Sequence, residues 1–355
     1  MKVMVCLLPI VAIAAIGCGK SPTAVTPPSP TTALPQSSTI REVKFDSHGL
    51  MLEGTFQLAQ GVTGKSPAIL LIPGSGPTDR NGNSSLGITT DLLKQIAEEL
   101  AKNGIASLRF DKRAIKIYAA HWPKDIKEIS HYFRWENFVD DASTAFDFLA
   151  KQPEVDSSRV GILGHSEGAM LSLQIDSDRR GKPNAPKATI LMGSTGRPMG
   201  IILHEQIGRQ LKNSGAASDV TKKYLDYLDL ACSALKDGKP LPPNIPAGLE
   251  SLFNAAALEL VGAYCRIDPT DLAKNAGGPF LVMNGKSDTQ VSAERDTLRL
   301  LATLRARKTG TVEFLIVPNA SHNFKLTKGT SDDAFEGPIV PEPLALIIKF
   351  AKANL

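Results

Sequence analysis

Hydrophobic positions along the chain alternate between two periods. Ala68-Ile69-Leu70-Leu71-Ile72 is apolar throughout and stops at Pro73-Gly74, the pattern of a strand buried on both faces of a parallel sheet. From Thr89 to Asn103, Leu92, Leu93, Ile96 and Leu100 recur at helical spacing, and Gly104 supplies a stop. Ile105 to Phe110 then reads as a strand, Asn137 to Lys151 as a helix with Val139, Ala142, Phe146 and Leu149 on one face, and Arg159 to Leu163 as a strand again. Further strands are predicted at Ala188 to Met192, Phe280 to Met283 and Val312 to Val317, with a closing helix at Pro343 to Ala353. Ahead of them all, Ile40, Val43 and Phe45 precede a Ser47-His48-Gly49 turn and the run Met51 to Phe56, which predicts an opening β-hairpin. Strands separated by helices imply a mostly parallel sheet with helices on both faces.

One stretch breaks this rhythm. Between Met192 and Phe280 only helical patterns occur, at Ile201 to Leu211, Val220 to Leu235 and Leu249 to Tyr264. That is too long for an ordinary crossover. It predicts a helical cap at about residues 197–275, with the Pro-rich Lys239 to Pro243 as a connector inside it.

The N-terminus differs from the rest. Lys2 is followed by an apolar stretch from Val3 to Ile16, shorter than the roughly 20 residues a membrane-spanning helix needs, and it reads as a signal peptide over residues 1–17. Ala15-Ile16-Gly17-Cys18 resembles the bacterial lipoprotein signal, which implies lipidation of Cys18 and membrane attachment through that lipid. Gly19 in place of an aspartate implies, by the same resemblance, the periplasmic face of the outer membrane. Residues 18–38, rich in Pro, Ser and Thr, read as a tether, leaving 39–355 as the folded domain. Of the 355 residues, 42% are hydrophobic and 21% charged, enough for a sizeable core. The net charge of +4 is spread without a basic run, which argues against a nucleic-acid partner. Four cysteines sort by position: Cys6 leaves with the signal, Cys18 carries lipid, and Cys232 and Cys265 either pair or remain two buried thiols. No Cys/His cluster has metal-ligand spacing.

The strongest chemical signal is Gly164-His165-Ser166-Glu167-Gly168, directly after a strand and before the helical Ala169 to Leu173. This is a nucleophile elbow in its strand-turn-helix context, with glycines where a Cβ would clash. A serine hydroxyl needs a base to take its proton and an acid to orient that base. After the strand at Phe280 comes Asn284-Gly285-Lys286-Ser287-Asp288, which makes Asp288 the candidate acid; Asp268, before Pro269, looks instead like a helix N-cap. After the strand ending at Val317, Pro318-Asn319-Ala320-Ser321-His322 makes His322 the candidate base. An oxyanion hole takes one amide from the residue after the nucleophile, Glu167. The other is expected from Pro73-Gly74-Ser75-Gly76-Pro77, with Ser75 first and Gly76 second.

These segments resemble the α/β-hydrolase superfamily, and within it bacterial serine esterases and serine aminopeptidase-like hydrolases. The resemblance is carried by Pro73 to Asn83, Asp111-Lys112-Arg113, Gly164 to Gly168, Asn284 to Val291 and the region around His322, and so spans residues 40–355. It implies an α/β-hydrolase fold with a mostly parallel eight-stranded sheet and a cap. It also implies an enzyme that cleaves carboxylic esters through an acyl-enzyme on Ser166, with no cofactor and no metal. The partner would be a small-molecule ester or a short peptide, the latter if the protein is a serine peptidase. A binding protein on a decayed hydrolase fold is the reading outside enzymes. Two departures from the family pattern are Ala114-Ile115-Lys116, where glycines usually follow the Asp-Lys-Arg, and Ala169 after the elbow. Tyr118, Trp122, Tyr132, Phe133, Trp135 and Phe138 crowd just past the first departure and either wall an acyl site or pack beneath a long loop. Asp79 and Arg80 either shape the loop beside the oxyanion hole or form a surface ion pair.

Overall fold

The computed structural model describes residues 39–328 and 334–355. The expected signal peptide, the lipidated Cys18 and the tether to residue 38 lie outside the described residues. Strands β1 (Ile40–Ser47), β2 (Leu50–Gln57), β3 (Ser66–Ile72), β4 (Ala106–Phe110), β5 (Val155–His165), β6 (Thr189–Met192), β7 (Phe280–Gly285) and β8 (Val312–Val317) form one sheet in the order β1-β2-β4-β3-β5-β6-β7-β8. The β1–β2 hairpin is antiparallel, as is β2 against β4, while the strands from β4 through β8 run parallel. The helices are α1 (Leu92–Lys102), α2 (Ile126–Tyr132), α3 (Trp135–Ala150), α4 (Glu167–Arg179), α5 (Met199–Asn213), α6 (Ser218–Lys236), α7 (Leu258–Arg266), α8 (Pro269–Asn275), α9 (Leu298–Arg305) and α10 (Pro341–Asn354).

The unbroken apolar run of β3 is explained by what covers it. Leu70 and Ile72 pack on the side of Phe138, Ala142 and Phe146 from α3, whereas Ile69 and Leu71 pack against Leu92, Ile96 and Leu100 from α1 and Phe350 from α10. A strand clothed on both faces favours apolar side chains along its covered length, here Ala68 to Ile72. Beyond it, Ala169 and Leu173 of α4 meet Phe280 and Val282 of β7 in a third cluster.

Helices α5 to α8 fill the interval between β6 and β7. Here the structure corrects one boundary. The helix expected over Leu249 to Tyr264 forms only from Leu258, because Asn254 turns on its own backbone: its amide donates to Ser251 O at 2.6 Å and its carbonyl accepts from Ala257 N at 3.2 Å. Leu249, Leu252 and Phe253 still reach the core, from a turn. The short α8 starts where Asp268 accepts from Thr270 N at 2.9 Å, with Pro269 in the first turn. Cys232 of α6 and Cys265 of α7 form a disulfide with a Cα separation of 5.5 Å, and Gly200 of α5 lies against both sulfurs.

Candidate active site

Ser166 stands between β5 and α4 with φ 57 and ψ −119, a left-handed backbone that a serine adopts only when its surroundings compel it. Those surroundings are tight. A Cβ on Gly164 would run into the Gly168 backbone, and one on Gly168 into the carbonyl of Ile72, so both glycines are required for the turn to close against β3. Ser166 N donates to Met192 O at 2.8 Å, tying the turn to β6. The hydroxyl thus sits at the start of α4, where free amides and the helix dipole favour negative charge.

Because β5, β6, β7 and β8 are adjacent and parallel, the segments after them meet at one edge. His322 Nδ1 donates to Asp288 Oδ2 at 2.7 Å, and both side chains are buried. Asp288 is fixed in turn through Oδ1, which accepts from Gln290 N at 2.7 Å and Val291 N at 2.8 Å. Gly193, with φ 59, makes room for the imidazole, since a Cβ there would lie 2.9 Å from His322 Cε1. Ser166 and His322 border the same small cleft, which Ser75, Thr78, Gln290 and Phe335 also line.

His165, named only as part of the elbow, has a further place. Its Nε2 donates to the backbone carbonyl of His322 at 3.0 Å, and the two rings lie 4.7 Å apart. Burial, and next the nearby His322, push its pKa down to about 3, so it stays neutral.

Of the two expected oxyanion amides, Glu167 N is the first of α4 and Ser75 N lies on the cleft wall after β3. Among the described residues, neither donates to another protein group. Gly76 does not border the cleft. Asp79 and Arg80 lie in the same segment after β3 but do not border the cleft. Asp79 Oδ1 accepts from Asn81 N at 2.8 Å and Asn83 N at 2.9 Å, and Arg80 Nε donates to Asp111 Oδ2 at 2.8 Å. Arg80 is therefore anchored to the buried Asp111, and it also pairs with the more exposed Glu42 and Glu53 rather than with Asp79.

The six crowded aromatics do not line the cleft of Ser166. Tyr118, Phe133, Trp135 and Phe138 are buried in the core, and Trp122 and Tyr132 pack edge-on against Phe133 at 5.5 and 5.0 Å. They pack beneath the loop. Arg113 beside them is held by Asp141 through Nε at 2.7 Å. Among the described residues, no group of three His, Cys, Asp or Glu is arranged to hold a metal ion.

What composition and motif did not single out is the pairing of Lys112 with Glu167. The Lys112 side chain is 3% exposed and that of Glu167 1% exposed, and the two form an ion pair beneath the cleft. The available signal was a lysine two residues past the wholly buried β4.

This architecture is the α/β-hydrolase fold. No protein-family profile matches the chain. In sequence it is similar to the esterase EstD of Thermotoga maritima, at 29% identity over 271 residues, covering 76% of this chain and 57% of that esterase. The chain thus spans little more than half the length of this curated relative. In structure it is similar to Est1E from Butyrivibrio proteoclasticus, with a TM-score of 0.51, 15% identity and coverage of 88% of this chain and 96% of that one. It is also similar to the acylaminoacyl peptidase of Pyrococcus horikoshii, with a TM-score of 0.53, 16% identity and coverage of 90% of this chain and 42% of that one. At such identities these likenesses speak to the fold.

Proposed function

We propose that the protein is a serine hydrolase that cleaves carboxylic esters through an acyl-enzyme on Ser166. The observation that carries this reading is that His322, hydrogen-bonded to Asp288, shares a cleft with a serine held in left-handed backbone. In the first half-reaction Ser166 Oγ bonds to the ester carbonyl carbon while its proton passes to His322. The carbonyl oxygen takes the negative charge, facing the Glu167 and Ser75 amides, and collapse of this intermediate expels the alcohol, which leaves with the proton from His322. Water repeats the sequence on the acyl-enzyme and frees the acid. Asp288 holds the imidazole with Nδ1 protonated, which leaves Nε2 as the base. Similarity to an esterase supports the ester over the amide.

The cleft supports small acyl groups. Its volume is about 60 Å³, and Ser75, Thr78, Ser84, Thr90, Gln290 and Asn323 give it polar walls. The test is a series of p-nitrophenyl esters beside aminoacyl p-nitroanilides. Acetate and propionate esters should turn over faster than octanoate, and Ser166→Ala should abolish turnover. Rapid anilide cleavage with inert esters would instead make the protein a peptidase, and inertness to both would leave a hydrolase-fold binding protein.

Export and lipid anchoring at Cys18 belong to the same proposal, supported by the signal-like residues 1–18. Cys18→Ser should move the protein from the membrane fraction to the soluble periplasmic fraction; unchanged membrane association would exclude the lipid anchor.

A further inference from the structure

The ion pair beneath the cleft contacts both segments that carry the oxyanion amides. Lys112 Nζ donates to Gly74 O at 3.0 Å and to Glu167 Oε1, and it lies 4.8 Å from the Phe138 ring centroid. The other carboxylate oxygen of Glu167 accepts from the hydroxyl of Tyr264, which α7 delivers from the insertion between β6 and β7. Tyr264 is fully buried, and burial, then the facing carboxylate, raise its pKa well above the ordinary phenol value, so it remains a donor.

The geometry of the peptide unit gives this contact its consequence. No cis peptide occurs among the described residues, so the Gly74 carbonyl and the Ser75 N–H lie in one plane and point in opposite directions. A cation fixed on the carbonyl therefore fixes the direction of the amide. It also polarises the peptide, which strengthens the N–H as a donor. Gly74 is close to the nucleophile, since a Cβ there would lie 3.4 Å from Ser166 Cβ. Glu167 contributes its own N–H from the first turn of α4, so the side chain that holds Lys112 belongs to the residue that supplies the second donor. Stability alone gives little reason for such a pair, because well-packed apolar residues of similar volume usually serve as well or better.

We propose that Lys112 is a positioning residue for the oxyanion hole: held by Glu167, which Tyr264 holds in turn, it orients the Gly74–Ser75 peptide so that the Ser75 and Glu167 amides converge on one oxygen. The inference rests on the esterase reading of Ser166. It adds that a residue of the insertion, Tyr264, is coupled to catalysis without touching substrate.

The test is the double variant Lys112→Met/Glu167→Gln, which removes both charges and strands neither. It should melt close to the wild type, while Lys112→Met alone, leaving a buried lone carboxylate, should melt well below both. With esters, the double variant should lose at least about tenfold in kcat, a fraction of the loss from deleting a donor outright, with KM within about twofold. A folded double variant with wild-type kcat, or a loss confined to KM, overturns the proposal. Should the double variant not fold, Tyr264→Phe replaces it, with a several-fold drop in kcat expected and an unchanged kcat overturning the coupling. A wild type inert towards every ester sinks the esterase reading separately. The positioning claim is then read from the Ser75 amide resonance in ¹⁵N-labelled protein, which should shift in the double variant; an unmoved resonance overturns it.

Discussion

His322 Nδ1 donates to Asp288 Oδ2 at 2.7 Å although 34 residues separate the two, one after β8 and the other after β7. The bond is set by strand register. Val282 pairs with Phe314 and Gly285 with Val317, which brings the loops after both strands to the same height above the sheet edge. Asp288 also takes two backbone amides, so its carboxylate has little freedom to turn away from the imidazole.

Asp288→Asn is therefore expected to keep the fold and lose the tautomer. The amide oxygen would hold the loop amides, and the Nδ2 facing the imidazole would favour the proton on the wrong ring nitrogen. Steady-state hydrolysis of p-nitrophenyl acetate should show kcat reduced by about 10⁴-fold, with the melting temperature little changed. A variant within tenfold of wild type would mean that Asp288 does not orient the base.

His165 makes the fold sensitive to acid. Its pKa in the folded protein is about 3, against about 6.5 in an unfolded chain. Above pH 6.5 both states hold it neutral, and its contribution to stability is whole. As pH falls from 6.5 towards 3 the unfolded chain binds a proton that the native state refuses, and each pH unit crossed costs about 1.4 kcal/mol. His165→Gln removes that proton and keeps a donor for the His322 carbonyl. Thermal melts between pH 7 and 4 should show a shallower fall for this variant than for wild type; parallel curves would mean that His165 is not held neutral.

The disulfide joins α6 to α7 and closes a loop of 33 residues. Loop-closure entropy for that length amounts to about 3–4 kcal/mol. Cys232→Ser/Cys265→Ser, or reduction of the wild type, should lower stability to chemical denaturation by about that amount, with the largest loss of amide protection in α5, α6 and α7. Equal stability of oxidised and reduced protein would show that packing alone holds these helices.

How much of this was legible in the residues depended on range. The elbow was, because strand, glycine-flanked serine and helix are contiguous, and Asp288 and His322 followed because each lies after an apolar run recognisable as a strand. The alternating faces of β3 were legible for the same reason. Partners distant in the chain were not. Nothing local in Lys112 or Glu167 says that they meet across 55 residues, and the pairing of Cys232 with Cys265 depends on a helix packing that spacing does not reveal. The start of α7 is not legible in the spacing, because a helical pattern from Leu249 onward also suits a turn that buries the same side chains, and the side-chain bonds of Asn254 decide between them. Spacing does not separate pocket from packing for the aromatics around Trp122 to Phe138; the edge-on contacts of Trp122 and Tyr132 with the buried Phe133 do.

Acyl transfer at this cleft requires Ser166 to be a nucleophile. Intact-mass measurement after incubation with an alkyl fluorophosphonate tests this most directly. A single adduct should form on wild type, map to the peptide containing Gly164 to Gly168, and vanish in Ser166→Ala. No adduct on wild type, or equal labelling of the alanine variant, would contradict it.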